Sequence, residues 1–329
     1  WAASDPGAAL AFVLTQPEPW RGSSAASLFA ELTRRDPALA MTFATQAKEQ
    51  GLRSDLANLV LRPWAMADPS AALRWIADQA RPENRYAFAE ACIRSACSQL
   101  GLADAAEKLK PLGLTSEEYD TLLWRAISSG LDYAGRENPE NTLKAILSMK
   151  DPAIRRESIR FIGMGNLSAE QKATLLNSLP PGADRENFLY GQARLGIMSF
   201  DFEPGKALQG IAAVAPAQQD ALLRELGAKW GANDPVGASR WLVDEPPGPR
   251  RDAVAGEFVR SLVRTDPEAA LIWSARLGDE GKRSRRFAEL LPLWAAKDPV
   301  AADAWVESAG VLSEEDRVTL RGVLAKTRK

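Results

Sequence analysis

The segment "WAAKDPVAADAW", residues 294–305, places a tryptophan on each side of an Asp-Pro pair. Relative to Asp298, Trp294 stands at position −4, Pro299 at +1 and Trp305 at +7. Aspartate is a preferred N-cap because its carboxylate accepts an N–H group of the first helical turn, and proline is favoured directly after the cap. The segment therefore predicts a tight corner, with Trp294 closing one helix and Trp305 lying on the next.

The same frame recurs along the chain. Its three clearest copies carry tryptophan at both −4 and +7, and they are Trp64, Asp68, Pro69 and Trp75; Trp230, Asp234, Pro235 and Trp241; and Trp294, Asp298, Pro299 and Trp305. Neighbouring anchors are 31 or 32 residues apart in two groups, which are Asp5, Asp36 and Asp68, and Asp234, Asp266 and Asp298. Loops rich in proline, glycine and charge separate a first helix from a second helix in each repeat. We therefore expect about ten helix-loop-helix repeats with a period of roughly 32 residues.

The repeats predict an all-α fold, an α-α superhelix or solenoid, because no alternating strand pattern of useful length interrupts them. We expect residues 1–329 to form one continuous solenoid, with regular repeats over 1–99 and 203–329 and degenerate repeats over 100–202. Alanines at +3 and +4 let a neighbouring helix approach closely, and the aromatic residue at +7 fills the space between layers. Both tryptophans of a repeat are therefore expected to pack in the core instead of forming a ligand-binding aromatic box.

The composition narrows the chemistry available to the chain. It has no histidine, which removes Ser-His-Asp and Cys-His nucleophiles, His-based proton transfer and His metal ligands. Cys92 and Cys97 would point away from each other on a helix, so we expect two reduced, buried side chains. A formal charge of −2 gives no global attraction to nucleic acid or to an anionic membrane, and no apolar run is long enough for a membrane span. No catalytic residue, cofactor or metal site is predicted.

The chain begins at Trp1, inside a repeat motif and without an initiator methionine. We expect that an upstream segment has been removed, and a signal peptide is one candidate for it. Both a cytoplasmic location and an exported one therefore remain open.

The period of 30 to 35 residues with Asp-Pro at each junction resembles tetratricopeptide-like repeats. The spacing from Pro69 to Trp75 is also similar to that family, whereas the Gly-x-x-Tyr of its first helix is missing. Residues 150–163, "KDPAIRRESIRFIG", look more like a HEAT-type repeat, and the Trp-Ala-x-x-Asp-Pro units are similar to those of uncharacterised bacterial repeat proteins. The resemblance implies a divergent α-solenoid that binds a partner on its curved surface, and it assigns no residue to that role.

A column of arginines at +17 is the first candidate for a binding surface, because a recurring surface position becomes a stripe on a repeat protein. The column consists of Arg53, Arg85, Arg251 and Arg283, near the start of second helices. One interpretation is a solvated face that pairs with nearby acids, and the other is a stripe that binds an acidic peptide. The basic stretch "GKRSRRF" does not indicate nucleic-acid binding, because it lacks interleaved aromatic residues and the chain has no net positive charge.

The degenerate centre, 100–202, is the second candidate, because its departures from the repeat indicate either a bend, a groove or a bound partner, or simple drift. We expect a non-enzymatic scaffold or adaptor for a protein or peptide partner. Two alternatives are an α/α-toroid enzyme that uses paired carboxylates and a self-associating structural component of the cell envelope. The sequence leaves the oligomeric state open.

Overall fold

The computed structural model describes residues 5–17, 20–46, 50–129, 139–165, 167–263, 266–275, 280–310 and 312–327. Over these ranges the protein is all-α, with twenty α-helices, one 3-10 turn and no strand. The predicted all-α class is thereby confirmed.

The helices come in ten pairs, and in each pair a short first helix precedes a longer second helix. In chain order the pairs are α1 (Pro6–Leu14) and α2 (Trp20–Arg35), α3 (Pro37–Thr45) and α4 (Gln50–Ala67), α5 (Pro69–Gln79) and α6 (Pro82–Leu100), α7 (Leu102–Leu109) and α8 (Ser116–Ser128), α9 (Pro139–Leu147) and α10 (Pro152–Gly163), α11 (Ala169–Ser178) and α12 (Ala183–Met198), α13 (Pro204–Ala212) and α14 (Pro216–Asn233), α15 (Pro235–Asp244) and α16 (Pro249–Leu262), α17 (Pro267–Ser274) and α18 (Glu280–Ala295), and α19 (Pro299–Ser308) and α20 (Glu314–Thr327). The 3-10 turn, Lys110–Leu112, follows α7. The described residues thus contain the number of helix pairs that the repeat spacing predicts, whereas their winding into a superhelix remains a prediction.

The Asp-Pro pairs act as predicted at the start of first helices. The Asp68 carboxylate accepts the Ala71 N–H at 2.9 Å, and the Asp298 carboxylate accepts the Ala301 N–H at 2.9 Å. The remaining anchors cap their helices through the same contact, and they are Asp5, Asp36, Asp234 and Asp266. Each bond satisfies an N–H that has no partner inside the helix, which confirms the capping role.

The two tryptophans of each clear repeat pack against each other across the Asp-Pro corner. The ring centroids are 6.3 Å apart for Trp64 and Trp75, and 6.2 Å apart for Trp294 and Trp305. The pair in the repeat between them, Trp230 and Trp241, has a separation of 5.7 Å. The −4 ring is buried in the core and the +7 ring packs against it half-buried, as expected for structural aromatic residues.

The chain divides into two compact units, Trp1–Phe188 (unit 1) and Leu189–Lys329 (unit 2), and each has its own hydrophobic core. In unit 1 the second helices α2, α4, α6 and α8 pack side by side. In unit 2, α14 packs along α16, and α18 packs on α20. The single continuous solenoid and its internal boundaries at 99/100 and 202/203 stay predictions.

Two glycines allow the close approach of α14 and α16. A Cβ atom on Gly227 would lie 2.3 Å from the carbonyl oxygen of Val254, and a Cβ atom on Gly231 would lie 2.3 Å from Ser261 Oγ. Only hydrogen fits at either position, because real Cβ atoms need more than 3 Å. The repeat position of Gly227, seven residues before the next anchor, is occupied in α4 by Leu61.

Cys92 and Cys97 lie in α6 and are both free and buried, as predicted. Burial raises the pKa of each thiol to about 12, so both remain protonated at neutral pH and behave as small apolar side chains.

Candidate binding grooves

Arg85, a member of the predicted arginine stripe, holds helix ends together. Its Nε donates to the Ala80 carbonyl at 3.1 Å, and its two terminal nitrogens donate to the carbonyls of Ala77 and Leu112, each at 3.0 Å. Ala77 and Ala80 lie at the end of α5, and Leu112 ends the 3-10 turn of the following pair. The guanidinium group thus satisfies carbonyls that a helix leaves without partners, and it links two consecutive repeats.

The same position near the start of a second helix has this capping role in other pairs. Arg185 donates to the Leu176 carbonyl at 3.1 Å, at the end of α11. Gln219 donates to the Val214 carbonyl, two residues after α13, at 2.7 Å, and Arg317 donates to the Ala309 carbonyl, directly after α19, at 2.8 Å. The recurrence of a long polar donor at this position is therefore explained at least in part by helix termination.

The other stripe residues, Arg53, Arg251 and Arg283, occupy the third or fourth position of α4, α16 and α18 and are half-buried. Arg53 and Arg85 belong to unit 1, whereas Arg251 and Arg283 belong to unit 2. The proposed recognition of an acidic partner by this column stays a prediction.

A groove crosses three adjacent second helices of unit 1, with a cavity volume of about 560 Å³. We call it the unit-1 groove. Its polar lining residues come from α4, α6 and α8 and from the residue directly after α8, and they are Asn58, Arg62, Glu90, Arg94, Arg125, Ser128 and Ser129. Because α4, α6 and α8 pack side by side, the groove presents one arginine from each of three consecutive repeats.

Two of these arginines have no acidic partner. Arg62 and Arg94 are exposed, and within the described residues no carboxylate forms an ion pair with either guanidinium group. Arg125 forms an ion pair with Glu90 across the boundary between α8 and α6. Three arginines and one glutamate give the lining a formal charge of +2.

The arginines of the unit-1 groove follow the repeat. Arg62, Arg94 and Arg125 are 32 and 31 residues apart. Arg62 and Arg94 are each the thirteenth residue of their helix, whereas Arg125 is the tenth residue of α8. Counting from Asp-Pro anchors does not reach Arg125, because the first helix of its pair is preceded by Gly101 instead of Asp. The signal was the spacing itself, which matches the period as closely as the anchors do.

Unit 2 has a comparable groove between second helices, with a cavity volume of about 610 Å³. We call it the unit-2 groove. Its charged lining residues come from α14, α16 and α18, and they are Asp220, Arg224, Asp252, Glu257, Arg260, Arg285, Arg286 and Glu289. Three of its four arginines pair with an acid on their own helix, at 2.9 Å for Arg224–Asp220, 3.2 Å for Arg260–Glu257 and 3.0 Å for Arg286–Glu289. This lining is formally neutral, as expected for a solvated helix face.

The degenerate centre contains a smaller pocket of about 270 Å³, lined in part by Tyr119 and Asp120. Asp120 is buried, and its carboxylate accepts the backbone N–H groups of Lys150 and Asp151 at 2.8 and 2.7 Å. Burial raises the pKa of Tyr119, whose hydroxyl donates to the Ala106 carbonyl at 3.2 Å. Both side chains thus anchor the backbone of this irregular region.

No family model matches the chain, and neither a curated protein nor a solved structure is significantly similar to it. Among the described residues, no helix has the length and apolar character needed to cross a membrane. The same residues contain no cluster of three or more cysteine, aspartate or glutamate side chains that could hold a metal ion.

Proposed function

We propose that this protein is a non-enzymatic interaction scaffold that binds a protein partner in the unit-1 groove. The observation that carries the proposal is the pair of exposed arginines, Arg62 and Arg94, which face one groove from adjacent helices and form no ion pair with any acid that the structure describes. Packed helices have axes about 8–10 Å apart. That distance is close to the Debye length of about 8 Å at physiological ionic strength, so the two positive charges repel each other weakly.

A partner that supplies carboxylates would remove this repulsion and form charge-assisted hydrogen bonds to both guanidinium groups. Arginine is among the residues enriched at protein interfaces relative to the rest of the surface. Ser128 and Ser129, at the end of α8, donate their hydroxyls to the carbonyls of Arg125 and Ala126, at 3.4 and 2.9 Å, and their hydroxyl oxygens add acceptors to the same lining. The groove therefore offers both the charge and the hydrogen-bonding groups that a polar segment of another protein requires.

The α/α-toroid enzyme receives no specific support from the described acids. Paired catalytic carboxylates need one cavity in which two acids face each other across a substrate. Asp120 is used by backbone N–H groups, and three acids of the unit-2 groove are ion-paired with arginines.

The test is a quantitative crosslinking pull-down from native lysate with three baits. They are the natural protein, the double variant Arg62→Glu/Arg94→Glu, and the matched control Arg224→Glu/Arg260→Glu in the unit-2 groove. The proposal expects a partner that the natural protein and the control capture equally and that the unit-1 variant loses. Equal capture by all three baits, with circular dichroism showing all three folded, would contradict it.

A further inference from the structure

We infer that the unit-1 groove binds an acidic segment in the polyproline II conformation, with an acidic residue at every third position. This inference rests on the proposed function and specifies the chemistry of the partner. It is carried by the placement of Arg62, Arg94 and Arg125 in one groove, one on each of three helices that pack side by side.

The spacing expected of side chains on packed helices matches one turn of a polyproline II helix. Packed helices have axes about 8–10 Å apart, so arginines from successive second helices are expected at about that interval across the groove. A polyproline II helix has three residues per turn and rises about 9 Å in each turn, which places residues i and i+3 on the same side. An extended β-strand brings residues i and i+2 to the same side at about 7 Å, and an α-helix needs seven residues to advance about 10 Å. Of these conformations, polyproline II presents acids at the required interval with the shortest segment.

Glu90 is an internal acid that already pairs with Arg125, the third arginine of the unit-1 groove. It lies on α6, one turn before Arg94, and forms its ion pair with Arg125 on α8. Among the described residues, Arg62 and Arg94 therefore have no internal acidic partner, whereas Arg125 is already paired with Glu90. A segment with three acids competes with Glu90 for Arg125, so Glu90 limits the number of acidic side chains that the groove binds.

The described lining favours a peptide over single-stranded nucleic acid. Proteins that bind single strands combine basic grooves with aromatic side chains on which bases stack. The described residues that line the unit-1 groove contain alanine, isoleucine, serine and asparagine between the charged groups and no aromatic ring. Guanidinium groups without a stacking surface suit carboxylates, which need only charge and hydrogen bonds.

The experiment is fluorescence anisotropy with the full chain and two labelled nine-residue peptides of the same composition. The first consists of three Glu-Pro-Pro triplets, and the second places its three glutamates in one block between prolines. Because each exposed ion pair contributes little, we expect the spaced peptide to bind about threefold more tightly than the block peptide at low salt. Arg62→Glu/Arg94→Glu should weaken the spaced peptide about tenfold or more, whereas Arg224→Glu/Arg260→Glu should change its affinity less than twofold.

A gain of affinity provides a second readout that misfolding cannot imitate. Glu90→Gln removes the internal competitor and keeps the size of the side chain, so the spaced peptide should bind about threefold more tightly to this variant. Unchanged or weaker binding would overturn the role of Glu90.

Two results would overturn the inference as a whole. Equal affinity for the spaced and block peptides would show that binding does not depend on a spacing of three residues between glutamates. Tighter binding of an oligothymidine of nine nucleotides, lost in Arg62→Glu/Arg94→Glu, would assign the groove to nucleic acid. If the two peptides bind equally but the pull-down captures a protein partner that depends on Arg62 and Arg94, the scaffold function is retained and only the polyproline II inference fails. The two proposals are therefore tested separately.

Discussion

The unit-1 groove and the unit-2 groove have similar size and similar arginine content, but their acids are placed differently. In unit 2, Arg224 has Asp220 four residues earlier on the same helix, and the two form an ion pair at 2.9 Å. In unit 1, the residue four positions before Arg62 is Asn58, an amide of nearly the same shape with no charge. For these two arginines, an acid one helical turn earlier accompanies local neutralisation, and an amide at the same offset leaves the guanidinium group without that partner.

The corners that both units share should tolerate substitution least. Trp64 in unit 1 and Trp230 in unit 2 stand at the same repeat position and are both buried. We expect Trp64→Ala and Trp230→Ala each to lower the free energy of unfolding by about 3–5 kcal/mol, because each leaves a large cavity beside its partner ring. Urea denaturation followed by circular dichroism measures the loss. A cost below about 1 kcal/mol for either variant would mean that the repeat corner is not built around these rings.

In unit 1, substitution of Arg85 should mainly lower stability, whereas substitution of Arg94 in the groove should mainly weaken binding. Arg85→Met removes three hydrogen bonds from a half-buried guanidinium group, and we expect it to lower the free energy of unfolding by about 1.5–3 kcal/mol. Arg94→Met, nine residues further along α6, should change stability by less than about 0.5 kcal/mol because the side chain is exposed and forms no ion pair within the described part of the chain. Thermal denaturation and peptide anisotropy together test the separation. If Arg94→Met were the more destabilising variant, the assignment of structural and binding columns would be reversed.

In the closely packed helices α14 and α16 of unit 2, two glycine-to-alanine substitutions should change stability in opposite directions. Gly227→Ala would place a methyl group 2.3 Å from the Val254 carbonyl oxygen, and we expect a loss of about 1–3 kcal/mol. Gly256 lies in α16 with no atom within 4 Å of the position of its missing Cβ, so Gly256→Ala should raise stability by about 0.5–1 kcal/mol. Denaturant midpoints for the two variants provide the check. Stabilisation by both substitutions would mean that α14 and α16 are not in direct backbone contact.

The smallest effect is expected from a substitution that gives the unit-1 groove the acid-arginine pattern of the unit-2 groove. Asn58→Asp places a carboxylate one turn before Arg62, as Asp220 stands before Arg224. Because such a pair contributes about 0.2–0.5 kcal/mol, the affinity for the spaced glutamate peptide should fall about twofold while stability is retained. Anisotropy titrations in low salt resolve this difference. Tighter binding by the Asn58→Asp variant would contradict a role for the unpaired charge of Arg62.

The helical repeat was predictable because its signals are local. Asp298, Pro299 and the flanking tryptophans lie within twelve residues, and the cap bond spans only three. The role of Arg85 was not predictable, because one of its acceptors, the Leu112 carbonyl, lies 27 residues further along the chain. A count from the Asp-Pro anchor identifies that a position recurs, but it does not show whether the side chain points to a helix end or to solvent.

The unit-1 groove depends on information that a single repeat does not contain. The identity of its unpaired arginines follows from the pairing of Glu90 with Arg125 on another helix, although Arg94 is one turn away from Glu90 on the same helix. An i,i+4 rule applied to the sequence would have paired Glu90 with Arg94 and left Arg125 without that partner. Only the packing of α6 against α8 distinguishes these arrangements.

The most direct test of the unit-1 groove as the recognition surface is site-specific photocrosslinking from the position four residues before an arginine in each groove. A photoreactive amino acid replaces Asn58 in one bait and Asp220 in the other, and both baits are irradiated in native lysate and analysed by mass spectrometry. We predict a protein adduct at position 58 that a glutamate-rich competitor peptide suppresses, with no equivalent adduct at position 220. The same partner crosslinked equally from both positions, or an adduct at position 58 that the competitor leaves unchanged, would contradict recognition through unpaired arginines.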